Sequence, residues 1–374
     1  MTVVHIATSL REGGMQMVLY RLATSEKTQK HIVVSLMDEN AFGPRLREAG
    51  IEVLALNMPS GRITWSGLTT LYRLFRKEKP VAVQTWLYHA DLLGAFMARI
   101  ASNARICWGL HFSFLDYSLL NRGTKLVIKL CTLMSGILPH KVISCSENGR
   151  QMHLQLGYNE DRLTVINNGY DFSEFKPDET ARQALRQEWG ISDDEFLMGT
   201  VARWDPQKDH ANLVKALHHM QQQGNTNWRC IFIGPEMTEE NDALMTLLSQ
   251  YNLTDNIILV GLRSDIPAVM NALDISVLPS AFGEAFPNVL VESMACGTPC
   301  VSTDVGDSAV ILDAHGYTVP PSDSQALAHA IGAMQEEYAS PDSWAKKQVA
   351  GRTYVSENFS LDAMVKAYQA EWQL

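Results

Sequence analysis

The chain has 374 residues, 46% of them hydrophobic and 19% charged, with a net charge of −10. That length and apolar content exceed what one core organises and exclude a disordered or collagen-like chain. No apolar run approaches the roughly 18 residues that cross a bilayer, since Leu126–Leu138 is broken by Lys129 and by Ser135-Gly136.

The charge is unevenly spread. Residues 1–170 hold 19 Lys and Arg against 12 Asp and Glu, whereas the remainder holds 12 against 29. Such a split argues against nonspecific nucleic-acid binding by the whole protein. It suits a first domain that meets an anionic membrane surface or a phosphorylated acceptor, with plain solubility as the alternative.

In chain order, Met1 is followed directly by a strand-like run, so no leader peptide is expected. Short β-branched runs predict strands over Val3–Thr8, His31–Leu36, Ile51–Leu56, Val81–Trp86, Arg105–Leu110, Lys141–Ser144 and Leu163–Ile166. Amphipathic stretches at Trp65–Lys77 and Ala90–Ala101 predict helices between them. Asn167-Asn168-Gly169-Tyr170-Asp171, with Pro177 beyond, marks a turn between domains, because Asn, Gly and Asp tolerate left-handed backbone. The alternation restarts with strands over Phe196–Val201, Cys230–Ile233, Ile257–Leu259, Ile275–Leu278 and Pro299–Ser302, and two helices, Ser343–Glu357 and Leu361–Trp372, end the chain. Continuously apolar strands alternating with helices indicate α/β architecture, two Rossmann-like domains with ligands at the carboxyl ends of parallel strands. The six cysteines lack zinc-ligand spacing. Cys296 and Cys300 flank a helix-to-strand turn and are expected as buried thiols of a reduced, cytosolic protein.

Two strings carry the chemistry. Ser280 to Glu292 follows a predicted strand and opens a predicted helix, with Pro287 expected in its first turn. The amides of Ala285, Phe286 and Asn288, with the helix dipole, would receive phosphate oxygens. Glu284 and Glu292, eight residues and about two helical turns apart, are expected to lie about 10 Å from each other. On their own these carboxylates also fit an acidic helix start and a surface Glu. The second string, Thr200 to Asp209, places Arg203 and Lys208 after a strand end, where two cations could bind a diphosphate and stabilise its departure.

Arg-x4-Lys after a strand, followed in the same domain by Glu-x7-Glu, resembles the family 4 retaining glycosyltransferases of the GT-B fold, and bacterial surface-polysaccharide (O-antigen and capsule) members in particular. The resemblance extends to Gly13-Gly14, the Asn-Gly-Tyr-Asp seam, the Gly261–Pro267 loop and a terminal helix that crosses back. It implies an acceptor domain over 1–170 with a returning helix 358–374, a donor domain over 171–357, and a central cleft. Arg203 and Lys208 would hold the donor diphosphate. Glu284 would touch the transferred sugar, Glu292 the ribose, and Gly261-Leu262-Arg263 the nucleobase through backbone groups. In the first domain the resemblance places Gly14 by the donor and His111, within Trp108–Ser113, by the transferred sugar. Gly13, Trp86, Tyr88, His89 and Asp91 are acceptor-side candidates, although His89 and Asp91 would equally cap the following helix.

The implied reaction transfers a hexose or N-acetylhexosamine from a nucleotide diphosphate sugar, a UDP-sugar by resemblance, with retention of configuration and no metal or other cofactor. The acceptor would be a saccharide, lipid-linked and reached by peripheral association at the inner face of the cytoplasmic membrane through the stretch from Arg122 to Lys141. A GT-B-fold nucleotide-sugar epimerase and a noncatalytic partner subunit are the competing readings.

Overall fold

The structure, a computed structural model, describes residues 1–112, 120–192 and 194–373; Ser113 of the Trp108–Ser113 stretch lies outside them. The chain forms two compact units. One comprises Met1–Gly169 with Leu361–Leu374, and the other Tyr170–Ser360. The change of unit thus falls one residue before the expected boundary, and the return begins at Leu361 rather than 358.

The first unit is built on seven parallel strands, β1 (Thr2–Ala7), β2 (Lys30–Ser35), β3 (Glu52–Ala55), β4 (Ala82–Trp86), β5 (Arg105–Leu110), β6 (Lys141–Ser144) and β7 (Leu163–Val165). Their order is β3-β2-β1-β4-β5-β6-β7. Valine and isoleucine dominate because both faces are covered by helices, and β4 is buried at every position. Helices Trp65–Glu78, Tyr88–Ala101 and Arg122–Met134 feed one core, through Leu71, Phe75, Ala98 and Ile128 among others. Helices Gly14–Ser25 and Leu361–Trp372 feed the opposite one, where Trp372, Tyr368 and Met364 of the returning helix are buried against β-strand residues such as Val3 and Cys107.

The second unit repeats the plan with six parallel strands, β8 (Phe196–Val201), β9 (Trp228–Ile233), β10 (Ile257–Gly261), β11 (Ile275–Leu278), β12 (Cys300–Thr303) and β13 (Tyr317–Val319). The order is β10-β9-β8-β11-β12-β13. In each unit the direction of strand addition reverses once, between β1 and β4 and between β8 and β11. This is the point at which doubly wound sheets open a crevice beyond their carboxyl ends. Strand β13 was not expected from the sequence. It has three residues, only the last of them buried, so it carries almost no apolar signal.

The six cysteines are all buried, and burial pushes the Cys296 and Cys300 thiols up to about 12. No helix among the described residues is long and apolar enough to cross a membrane.

One buried ionic knot ties the second unit together. Asp274, just before β11, accepts from Arg182 at 2.5 Å, from Arg186 at 3.2 Å and from the Leu197 amide of β8 at 2.7 Å. Arg186 also donates to the carbonyls of Ser192 and Glu195 at 2.9 and 2.7 Å, so nearly every charge in the knot is partnered. Removing one partner of such a network strands the others in low dielectric. Asp274→Ala is therefore expected to destabilise the protein by about 3–5 kcal/mol in urea unfolding, whereas a loss within about 0.5 kcal/mol, the surface range, would mean that the knot is not structural.

Candidate active site

In the second unit the loops that leave β8 and β11 emerge on either side of the switch point. After β8 the chain passes Arg203 and Trp204. Asp205 then caps a short turn of 3-10 helix, Pro206–Lys208, by accepting from the Gln207 amide at 2.9 Å. Burial raises the Asp205 carboxyl, but the hydrogen bonds from Gln207 and Arg203 outweigh it and hold the group below its ordinary value. The turn aims Lys208 across the switch point, where its Nζ lies 2.5 Å from Glu284 Oε1. The Ser280 hydroxyl donates to the same oxygen at 2.7 Å. The side chains of Lys208 and Glu284 are 15% and 11% exposed, while that of Arg203 is 54% exposed. Two residues separated by 76 positions are thus joined above neighbouring strands.

Arg203 does not reach Glu284 directly. It donates to Asp205 at 3.1 Å and to Gln207 at 3.3 Å. Gln207 in turn accepts the Ala281 amide on its carbonyl at 2.8 Å, so one residue links the cation to the glutamate loop. That loop is held from the other side by β12 and its continuation. Thr303 donates to the Ser280 carbonyl at 2.6 Å, and the Asp307 amide donates to that of Ala285 at 3.1 Å. Gly306 is at φ +59, and a Cβ there would fall 2.3 Å from the Glu284 carbonyl oxygen, so only glycine allows this approach. At the end of β9, Gly234 plays the same part beneath Arg203, because a Cβ would lie 2.1 Å from the Ala202 oxygen.

Three expectations need correction. Pro287 is the N-cap and not part of the first turn: the helix is Asn288–Ala295, and Pro287 has ψ 95 and no side-chain capping bond. The interval from Glu284 to Pro287 is consequently non-helical, and the helical spacing of about 10 Å between Glu284 and Glu292 does not apply. Glu292 is half-buried on that helix. Asn288 accepts a hydrogen bond from the Tyr170 hydroxyl, which fixes its orientation at the helix start. Gly261 ends β10 and Leu262 and Arg263 follow it, two strands from β8, roughly 10 Å away at the usual spacing. The Arg263 guanidinium is held by Asp265 at 2.7 and 2.6 Å and by Glu188 at 2.7 Å. Gly261 is buried and its amide donates to the Met237 carbonyl at 2.9 Å, whereas Leu262 is 77% exposed.

The third correction concerns the first unit. Trp86 and Asp91 are 0% exposed and Tyr88 4%, so none of them presents a surface to an acceptor. Asp91 accepts from Thr85 Oγ1 at 2.5 Å, and burial lifts its carboxyl to about 7 against that hydrogen bond. The Tyr88 hydroxyl meets His153 Nε2 at 2.8 Å, and His153 Nδ1 meets the Gly149 carbonyl at 2.7 Å. Trp86 ends a buried chain. Its indole N–H donates to His5 Nδ1 at 3.4 Å, His5 Nε2 meets His31 Nδ1 at 2.9 Å, and His31 Nε2 meets Glu26 at 2.7 Å. Because an indole only donates, a proton on Nε2 of both imidazoles satisfies every link. On the other face of Trp86 stacks His111, at 5.3 Å between ring centroids, with burial lowering its imidazole to about 4. His111 is therefore a neutral hydrogen-bonding group at the end of β5, held by a ring that the core itself immobilises. His89 is half-buried, and Gly13 caps helix Gly14–Ser25 without a side-chain bond, leaving both at the carboxyl edge of the sheet.

Ser280, Gln207, Gly234 and Gly306 were missed from sequence. The two glycines stand at or just beyond the carboxyl ends of strands, a position that could have marked them; Ser280 and Gln207 lie within the two strings but were given no role there. Among the described residues, no group of three or more His, Cys, Asp or Glu is placed to hold a metal ion.

Residues 2–174 match the family model for Glycosyltransferase Family 4, and residues 181–349 that for Glycosyl transferases group 1. EpsF of Bacillus subtilis (strain 168), named as a glycosyltransferase, is 26% identical over 81% of this chain and 79% of its own length. A UDP-Gal:alpha-D-GlcNAc-diphosphoundecaprenol alpha-1,3-galactosyltransferase of Escherichia coli is 24% identical over 71% of this chain and 68% of its own. The crystal structure of Anabaena Alr3699/HepE in complex with UDP superposes with a TM-score of 0.86 at 22% identity, covering 99% of both chains. With two Rossmann-like sheets and the two family models together spanning nearly the whole length, the chain belongs to the family 4 glycosyltransferases of the GT-B fold.

Proposed function

We propose that this glycosyltransferase moves a hexose or N-acetylhexosamine from UDP to a lipid-linked saccharide, with retention and without a metal, in surface-polysaccharide assembly. The observation that carries the reading is the Lys208–Glu284 pair above the β8–β11 switch point, with Arg203 beside it. A diphosphate arriving there meets two cations and the start of helix Asn288–Ala295, whose dipole favours negative charge. Its phosphates compete for Lys208, and Glu284 is then available to accept from a hydroxyl of the transferred sugar. In this reading the backbone of Leu262 and Arg263 would meet the base, and Glu292 the ribose. The E. coli relative is named for a UDP-sugar donor and a diphosphoundecaprenol acceptor, which supports both assignments.

In the reaction, the bond between the anomeric carbon and the β-phosphate oxygen breaks, and a bond from that carbon to the acceptor oxygen forms on the same face. The acceptor proton passes to the departing diphosphate. Arg203 and Lys208 stabilise the charge that builds on the leaving group, and neutral His111 hydrogen-bonds the sugar without adding charge. The first unit supplies the acceptor side. Its helix Arg122–Met134 exposes Leu126, Leu130 and Leu133 among Arg122, Lys125 and Lys129, a composition suited to peripheral attachment at an anionic cytoplasmic leaflet.

Proton NMR of the first-formed product from an α-linked UDP-sugar should show an α linkage, at a rate unchanged by EDTA; a β product, or loss of turnover in EDTA, would overturn the stereochemical or the metal-free part respectively. Glu284→Gln keeps the shape of the side chain and removes its charge. It should lower kcat by roughly 100-fold or more, the usual effect of losing one electrostatic contact to the transition state, while UDP affinity stays within about threefold; wild-type kcat would take Glu284 out of the reaction.

A further inference from the structure

Beyond the donor site, the first unit holds a cavity of about 550 Å³ at the carboxyl ends of β1, β2 and β3 and along helix Tyr88–Ala101. That volume is typical of ligand pockets. Its wall is apolar over most of its length, made by Leu36, Met58, Ile63, Leu93, Phe96 and Val127. One end reaches the sheet's switch point, where Thr8 follows β1 and His89 follows β4. The Thr8 hydroxyl oxygen there is buried without a hydrogen-bond partner among the described residues. At the opposite, solvent-facing end Ile63 is 64% and Phe96 56% exposed. A mostly apolar cavity beside the carboxyl edge of a sheet is an odd feature for a site that handles sugars alone.

The surrounding charge names the occupant's other half. Arg62 lines the cavity, as does the start of helix Arg122–Met134 through Asn121, Gly123 and Thr124. Arg122, Lys125 and Lys129 follow on that helix. Among the described residues from 57 to 134, the only acids are Glu78, paired with Lys30 at 3.0 Å, and the buried Asp91. The cavity is thus mostly apolar, with Arg62 on its wall and further cations on the adjoining helix, complementary to an amphiphile with a phosphorylated head. Resting on the reading of a lipid-linked acceptor given above, we propose that this cavity binds the first part of the acceptor's hydrocarbon chain, an isoprenoid diphosphate, and so sets where its saccharide lies. The groove would then select acceptors by chain as well as by sugar, since each methylene buried changes affinity roughly fourfold.

The test uses farnesyl diphosphate as probe, with inorganic pyrophosphate as the head alone, titrated calorimetrically into the full chain with and without excess UDP. Farnesyl diphosphate should bind at least about tenfold tighter than pyrophosphate, a gap that fewer than two buried methylenes would supply, and should still bind when UDP is present. Phe96→Glu and Ile63→Glu, both at exposed positions and so compatible with folding, should abolish that gap. Leu133→Glu, on the exposed face outside the cavity, should leave it intact while weakening flotation with vesicles of anionic phosphatidylglycerol. Equal binding of the two probes would overturn the proposal, as would equal loss in all three variants, which would mean general adsorption to an apolar surface. Displacement of farnesyl diphosphate by UDP would place the probe in the donor site and overturn it too. Because UDP binding is measured on the same samples, failure of the groove and failure of the donor site give different results.

Discussion

A single ion pair organises the donor half of this molecule. Lys208 and Glu284 stand on loops from the adjacent parallel strands β8 and β11, and their contact joins the two loops at the sheet's switch point. With the pair mostly buried, each carboxylate or ammonium needs the other, or a ligand that replaces it. The rest of the second unit is arranged around holding these two loops in place. Asp205 shapes the turn that carries Lys208, Thr303 and Asp307 grip the glutamate loop from β12, and glycines at 234 and 306 let backbones approach where any side chain would collide.

The first unit meets the same problem differently. Its polar groups near the switch point are mostly sunk in the core, and they act by fixing one another. The chain from Glu26 through His31 and His5 to Trp86 locks an indole ring, and His111 stacks upon it. The returning helix joins this network from outside, with Gln369 donating to Glu26 at 2.8 Å and Trp372 donating to Gln84 at 3.2 Å. The end of the chain therefore bears on the placement of a residue more than 250 positions earlier, which explains why a helix from the terminus belongs to the first unit.

Much of this was legible in the residues. Strands such as Arg105–Leu110, Phe196–Val201 and Ile275–Leu278 coincide with their predicted spans because continuous apolar runs bounded by turns have no other stable use in a two-sided sheet. Arg203, Lys208 and Glu284 were visible as charges at strand ends, and their proximity follows once β8 and β11 are neighbours. Helix Tyr88–Ala101 begins two residues before its predicted start because Leu87 adopts φ +71, an uncommon conformation that no propensity signals for leucine. The sequence left the burial of Tyr88 and Asp91 open for a related reason. A polar residue in the first turn of a helix reads alike whether it faces a ligand or the core, and only the partner supplied by Thr85 or His153 decides. The grip of Thr303 and Gly306 on the glutamate loop depends on β12 lying beside β11, which no local pattern encodes.

The central claim is that the Lys208–Glu284 pair marks the diphosphate site, and UDP binding tests it most directly. In buffer with EDTA, UDP at 100 times its Kd should raise the melting temperature of the wild-type chain by roughly 5–10 °C, as expected for a domain of this size. The double variant Lys208→Met with Glu284→Gln leaves no charge unpaired, and it should fold but show no shift at the same UDP concentration. An unmoved wild-type protein, or an equal shift in the double variant, would contradict the account.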